Sequence, residues 1–225
     1  MTTKTLAAPM LALLGLAALS CEKLDVVGRG SAVSFEKVLQ QIPQSLTQDE
    51  MNRGWSLAAP DNSARFIWST PSAENPGYDV AIEFDAAPFL AAGLDPLGLP
   101  ENFRFYGNKL MAGTKLGTET AEMQGEPSPL ASYQQILKLK REILGYHRAL
   151  DHYGVNLGRG NLFEWAKDLD ANDKDMVFVL DPGPFIAAGA DPSGIEGWLF
   201  TRVTVDDETG KPIQVDKLLK PFDLR

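Results

Sequence analysis

The stretch DAAPFLAAGLDP, Asp85–Pro96, returns as DPGPFIAAGADP, Asp181–Pro192. A phrase written twice in one chain restricts the fold more than any composition figure does. Aligned at an offset of 96, residues 84–99 and 180–195 agree at nine of sixteen positions. The echo continues upstream with small register changes. Phe66 and Trp68 stand opposite Phe163 and Trp165 at an offset of 97, and Phe35, Val38 and Leu39 stand opposite Tyr133, Ile136 and Leu137 at 98. Loop insertions of one or two residues leave such a drift. The period lies well above the ~20–50 residues of solenoid repeats. The pattern therefore predicts one ancestral unit present twice, in an α+β body with pseudo-two-fold symmetry.

Each unit has a readable order. An amphipathic helix comes first: Phe35, Val38, Leu39 and Ile42 fall on one face, and Pro43 stops the run. In the second copy the apolar stripe predicts a longer helix from about Leu130 to His152. Short aromatic strands follow around Trp55–Leu57 and Phe66–Trp68, matched by Tyr153–Leu157 and Leu162–Trp165. YDVAIEF alternates as a half-buried strand does, and MVFVL, Met176–Leu180, is apolar on both faces, as in a sheet interior.

The repeated phrase itself predicts a capped helical turn. Asp85 and Asp181 follow a strand, where an N-cap carboxylate accepts the first orphan N–H groups. Pro88 and Pro184 suit a first turn, and Gly93 and Gly189 suit the left-handed residue beyond a helix end. Hairpins close each unit, the first around Gly107-Asn108 and the second around Glu208–Gly210.

The beginning of the chain is of another kind. One cation, Lys4, precedes an apolar run from Leu6 to Leu19, too short to span a bilayer and read as a signal-peptide core. Directly after it, at Ser20-Cys21, stands the single cysteine of the chain. This arrangement resembles the lipobox of bacterial lipoproteins, in which small residues precede a lipidated cysteine. Ala18 stands where that family usually has Leu, as in the relaxed lipoboxes of spirochaetes. The resemblance implies acylation of Cys21, palmitate included, and a lipid-anchored place in the bacterial cell envelope, at the outer membrane or its periplasmic face. An ordinary secretory peptide cut near Ser20 is the alternative, and leaves a free thiol.

The expected organisation is a signal peptide over 1–20, an anchor and tether over 21–32, one unit over 33–116, a Gly- and Pro-rich linker over 117–131 and a second unit over 132–225. The net charge of −9, which cleavage before Cys21 makes more negative by removing Lys4, repels nucleic acid and anionic headgroups. The chain holds no second cysteine for a disulfide. Units of this size are marginal alone, so a shared core is expected.

Candidate chemistry is sparse. Paired aspartates from two halves, Asp85 and Asp181, superficially resemble an aspartic-protease dyad, but Asp85-Ala86-Ala87 lacks the Gly and the hydroxyl. Asp168, Asp170 and Asn172 begin like a calcium loop, yet Asp173 replaces its glycine and Val179 its bidentate glutamate. His147 and His152, five apart on the predicted helix, would point about 140° apart and share no metal. No metal, cofactor or catalytic residue is expected. Trp55, Trp68, Trp165 and Trp198 are candidates to line a cleft at the junction of the units.

The functional expectation is a non-enzymatic lipoprotein, held to a membrane through Cys21, that binds a protein partner or an apolar ligand at that junction, and no nucleic acid. Two alternatives belong to other classes: a membrane-perturbing lipoprotein acting through its amphipathic helices, with Lys138, Lys140 and Arg141 near the apolar face, and a hydrolase using Asp85 and Asp181.

Overall fold

The computed structural model describes residues 24–49, 53–117, 128–171 and 173–224. These form a mixed α+β body with two six-stranded antiparallel sheets. The first half runs α1 (Leu24–Gln41), β1 (Leu46–Asp49), β2 (Gly54–Ala58), β3 (Ala64–Ser69), β4 (Val80–Asp85), α2 (Ala87–Ala91), β5 (Phe103–Tyr106) and β6 (Lys109–Thr114). The second runs α3 (Pro129–Leu139), β7 (Leu144–His147), β8 (His152–Asn156), β9 (Leu162–Ala166), β10 (Met176–Leu180), α4 (Gly183–Ala187), β11 (Leu199–Val205) and β12 (Pro212–Phe222). Strand order is β1-β2-β3-β4-β6-β5 in one sheet and β7-β8-β9-β10-β12-β11 in the other. A short 3₁₀ turn follows each of the four helices at the same place in both halves.

Local sequence accounts for most of these boundaries. Pro43 follows the end of α1 and opens a 3₁₀ turn instead of continuing the helix. Pro129 opens α3, and the Ser128 hydroxyl accepts a hydrogen bond from the Ala131 amide at 3.1 Å. All five residues of β10 are buried, as befits a strand inside the sheet with both faces covered.

Two expectations are corrected. The helix predicted from Leu130 to His152 ends at Leu139, and Leu144–His147 instead pairs with His152–Asn156 as a hairpin. Leu144 and Tyr146 pack against the core, so the apolar stripe there has the strand period of two. Asp151, at φ 53°, helps to make the turn. The tether expected over 21–32 is helical from Leu24 onward.

The helices cross over between the halves. α1 lies chiefly against β7 and β9 of the second sheet, and α3 against β2 and β3 of the first. Phe35 of α1 stacks on Tyr133 of α3 with ring centroids 4.1 Å apart. Beneath them the sheets meet directly: Phe66 of β3 stacks on Phe163 of β9 at 4.3 Å. Further along, Phe89 of α2 meets Phe185 of α4 at 5.2 Å. One hydrophobic core therefore runs through both halves, and neither sheet has its own helix as its main cover.

Candidate functional site

The structure places the repeated phrases against each other. β4 ends at Asp85 and leads into α2, while β10 leads through Asp181 into α4. After each helix the chain reaches across. The Asp95 amide donates to the Ala188 carbonyl and the Asp191 amide to the Ala92 carbonyl, both at 2.7 Å. Gly93 and Gly189 sit just past the helix ends with φ of 94° and 88°. Formal N-caps are Ala86 and Pro182, one residue later than expected. Asp85 and Asp181 still receive first-turn amides, from Ala87 at 3.3 Å and from Gly183 at 3.0 Å. Each carboxylate is thus engaged by its own turn.

The four tryptophans have different surroundings. Trp68 and Trp165 are fully buried and stand edge-on to Phe35 at 5.5 and 5.3 Å. Trp198 is also buried, edge-on to Phe84 and Phe89. Trp55 is half-buried on β2, paired with Trp68 across the strands. The aromatic junction is therefore filled by its own side chains. To one side of it lies an open cleft of about 310 Å³ between Thr114–Leu116 of the first half and Lys140, Ile143 and Asn156–Gly158 of the second. Its lining is mixed: Lys115, Lys140 and Glu142 stand beside Leu116, Ile143 and Leu157.

Two relationships are hard to see in sequence. His147 and His152 are cross-strand partners on β7 and β8, not residues of one helix, so the angular argument against their proximity fails. His152 is buried, with Nδ1 3.8 Å from a Glu164 carboxylate oxygen, and neither ring nitrogen has a hydrogen-bond partner among the described residues. Even so, no three His, Cys, Asp or Glu side chains converge as a metal site requires, among the described residues. The acidic turn at 168–175 folds on itself, with the Asp168 carboxylate accepting from the Asp170 amide; Asn172 lies outside the described residues.

Asp79 and Asp175 form the second relationship. Both are buried, and each accepts the amide of a residue just past the last strand of its half, Leu116 at 2.8 Å and Leu224 at 2.7 Å. Lys115 Nζ stands 3.7 Å from Asp79. The signal that finds this pair is the offset of 96 carried a few residues upstream of Phe84. Their role is to tie a strand end to the chain, and nothing in their contacts calls for a reaction.

Of the groups with shifted protonation, Tyr146 and Tyr153 are neighbours, cross-strand partners with ring centroids 5.0 Å apart, and burial is the first cause that raises Tyr153. Burial pushes the Tyr133 phenol well above its ordinary range, against a hydrogen bond with Ser31. Tyr146 is pushed up to about 12, first by its hydrogen bond to the Asp151 carboxylate and then by burial and negative charge. Burial acts to raise Asp61, but hydrogen bonds from Ser63 and the Lys220 ammonium hold it below the usual carboxylate value. The Tyr146 and Tyr153 phenols are both raised, so they hold their protons more tightly, and neither Tyr133 nor Asp61 is among the groups that shift them.

Searches of protein-family models, curated proteins and solved structures give no match for the chain. Cys21 lies outside the described residues, and no helix among those described is long and apolar enough to cross a membrane.

Proposed function

We propose that the chain is a non-enzymatic, lipid-anchored protein of the bacterial cell envelope, built by duplication of one unit, that acts by binding a partner protein at its surface. The anchor rests on one observation: the apolar run ends directly at the single cysteine, Cys21. More than one acyl chain makes such anchoring stable. Duplication is supported by the matching element and strand orders and by the reciprocal contacts of Phe35 with Tyr133 and Phe66 with Phe163. A partner is favoured over a small apolar ligand because Trp68 and Trp165 occupy the junction. Membrane perturbation through the helices is disfavoured, since Phe35, Val38, Tyr133 and Ile136 would have to leave the core.

Intact mass measurement of the protein made in a lipoprotein-processing bacterium tests the anchor. The expected species begins at Cys21 and carries acyl mass; an unmodified thiol at the mature end overturns it. Flotation with liposomes then separates anchoring from insertion. The Cys21→Ala form should stay at the bottom of the gradient, and its flotation would instead support insertion by the helices.

A further inference from the structure

The large hydrophobic side chains that stand in solvent are not scattered. Of the eight among the described residues, six gather at one end of the molecule: Leu90, Leu97, Tyr106, Val203, Val205 and Ile213. Strand register places them there. β4 runs from Val80, paired with Trp68 beneath α1, to Asp85, which opens into α2. Asp85 pairs with Lys109, so the β5–β6 turn that carries Tyr106 lies at the α2 end. In the second half, β10 stops at Leu180 opposite Leu218, but β12 begins at Pro212 and β11 runs on to Val205. The β11–β12 hairpin therefore reaches past its own sheet as an arm, with Val203, Val205 and Ile213 on it. Leu199 lies at its base, and Val33, on α1, belongs to the other end.

We propose that this end, formed by α2, α4 and the β11–β12 arm, is a docking surface for a partner protein that presents an apolar, basic face. Segments 85–98, 105–109, 181–194 and 201–217 hold eight carboxylates against four cations. Apolar patches rimmed by charge mark interaction sites, and the acidic excess selects a cationic partner. The same excess opposes an anionic bilayer and a second copy of this chain. Strand addition along the β11 edge is hindered because Arg202 sits at φ 44° within it. Docking thus falls to side chains. Orientation agrees, and this clause rests on the anchored reading: α1 covers the opposite end, and Cys21 precedes Leu24 by only three residues. The arm would then point away from the bilayer.

The test uses the mature chain with Cys21→Ala, so that its outcome is independent of acylation. The probe is a fluorescein-labelled helical peptide of Leu and Lys, with a Leu–Glu peptide as its counterpart. Fluorescence anisotropy should show saturable binding of the Leu–Lys peptide that weakens with salt, and no binding of the Leu–Glu peptide. The triple variant Leu97→Ser, Val205→Ser, Ile213→Ser changes exposed positions only, and far-UV circular dichroism checks its fold. It should bind about tenfold more weakly. Unchanged affinity in the variant, absence of binding by the Leu–Lys peptide, or equal binding of both peptides overturns the proposal. So does flotation with phosphatidylglycerol vesicles, or self-association in sedimentation that the triple variant abolishes.

Discussion

Gly93 and Gly189 face each other so closely that a side chain on either would crowd the other's backbone. A Cβ on Gly93 would lie 3.0 Å from the Gly189 carbonyl oxygen, and one on Gly189 would lie 3.2 Å from that of Gly93. Both also have positive φ, 94° and 88°. The repeated phrase thus ends in a residue needed twice over, once for its own turn and once for the neighbour's. Gly93→Ala or Gly189→Ala should each lower unfolding free energy in urea by about 1–3 kcal/mol. Gly107 is the control: its φ is 61°, but nothing lies within 4 Å of an added Cβ, so Gly107→Ala should show only the backbone penalty, about 1 kcal/mol. Equal losses at the three positions would mean that the close approach contributes nothing.

A second prediction comes from a contact made on one side and missing on the other. The Trp165 indole donates to the Ser34 hydroxyl at 2.8 Å, in the core. Ser132 and Trp68 occupy the corresponding positions, yet Ser132 Oγ and Trp68 Nε1 have no partner among the described residues. Ser34→Ala would strand a buried N–H and should cost about 1–3 kcal/mol. Ser132→Ala removes a hydroxyl that already lacks a partner and should cost less, or stabilise. Urea midpoints of the two variants decide it; the reverse ranking would refute the asymmetry.

Much of this was legible from residue pattern. The offset of 96 located both capped turns, the offset of 97 matched the aromatic strands, and turn residues located the closing hairpins at Gly107-Asn108 and Glu208–Gly210. What escaped was whatever depends on the partner segment. The residues of β7 carry an apolar spacing that suits a helix as well as a strand, and only pairing with His152–Asn156 decides between them. With that hairpin, His147 and His152 moved from separate faces to adjacent strands. The exchange of helices between sheets leaves no local signature, because the apolar face of α1 reads the same whichever sheet it meets. Nor does sequence tell that Asp79 and Asp175 are buried, since a carboxylate beside a strand usually faces water.

The exchanged helices predict how the halves behave apart. Residues 22–117 alone would lack α3, the main cover of β2 and β3, and residues 128–225 alone would lack α1. Each fragment by itself should show little near-UV circular dichroism from Trp68 or Trp165, because their packing needs both Phe35 and Tyr133. Mixing the two should restore the signal, as each supplies the other's helix. A cooperative unfolding transition in either isolated fragment would show that one half can complete its own core.

Alkaline titration tests the Tyr146–Asp151 contact. The Tyr146 hydroxyl donates to the Asp151 carboxylate, and ionising the phenol would break that bond and set two negative charges together. Its value therefore rises from 10.0 to about 12. A folded-state value above the unfolded one favours the native state while the unfolded phenol keeps its proton. The contribution is complete below pH 10.0 and disappears as pH climbs through about 12. Phenolate absorbance of Tyr146→Phe should lack a step near that upper value. Between those two limits, the stability difference between the natural chain and Tyr146→Phe should shrink with rising pH. If the two proteins gave superimposable absorbance titrations, or if the difference widened instead, the carboxylate would not be holding the phenolic proton.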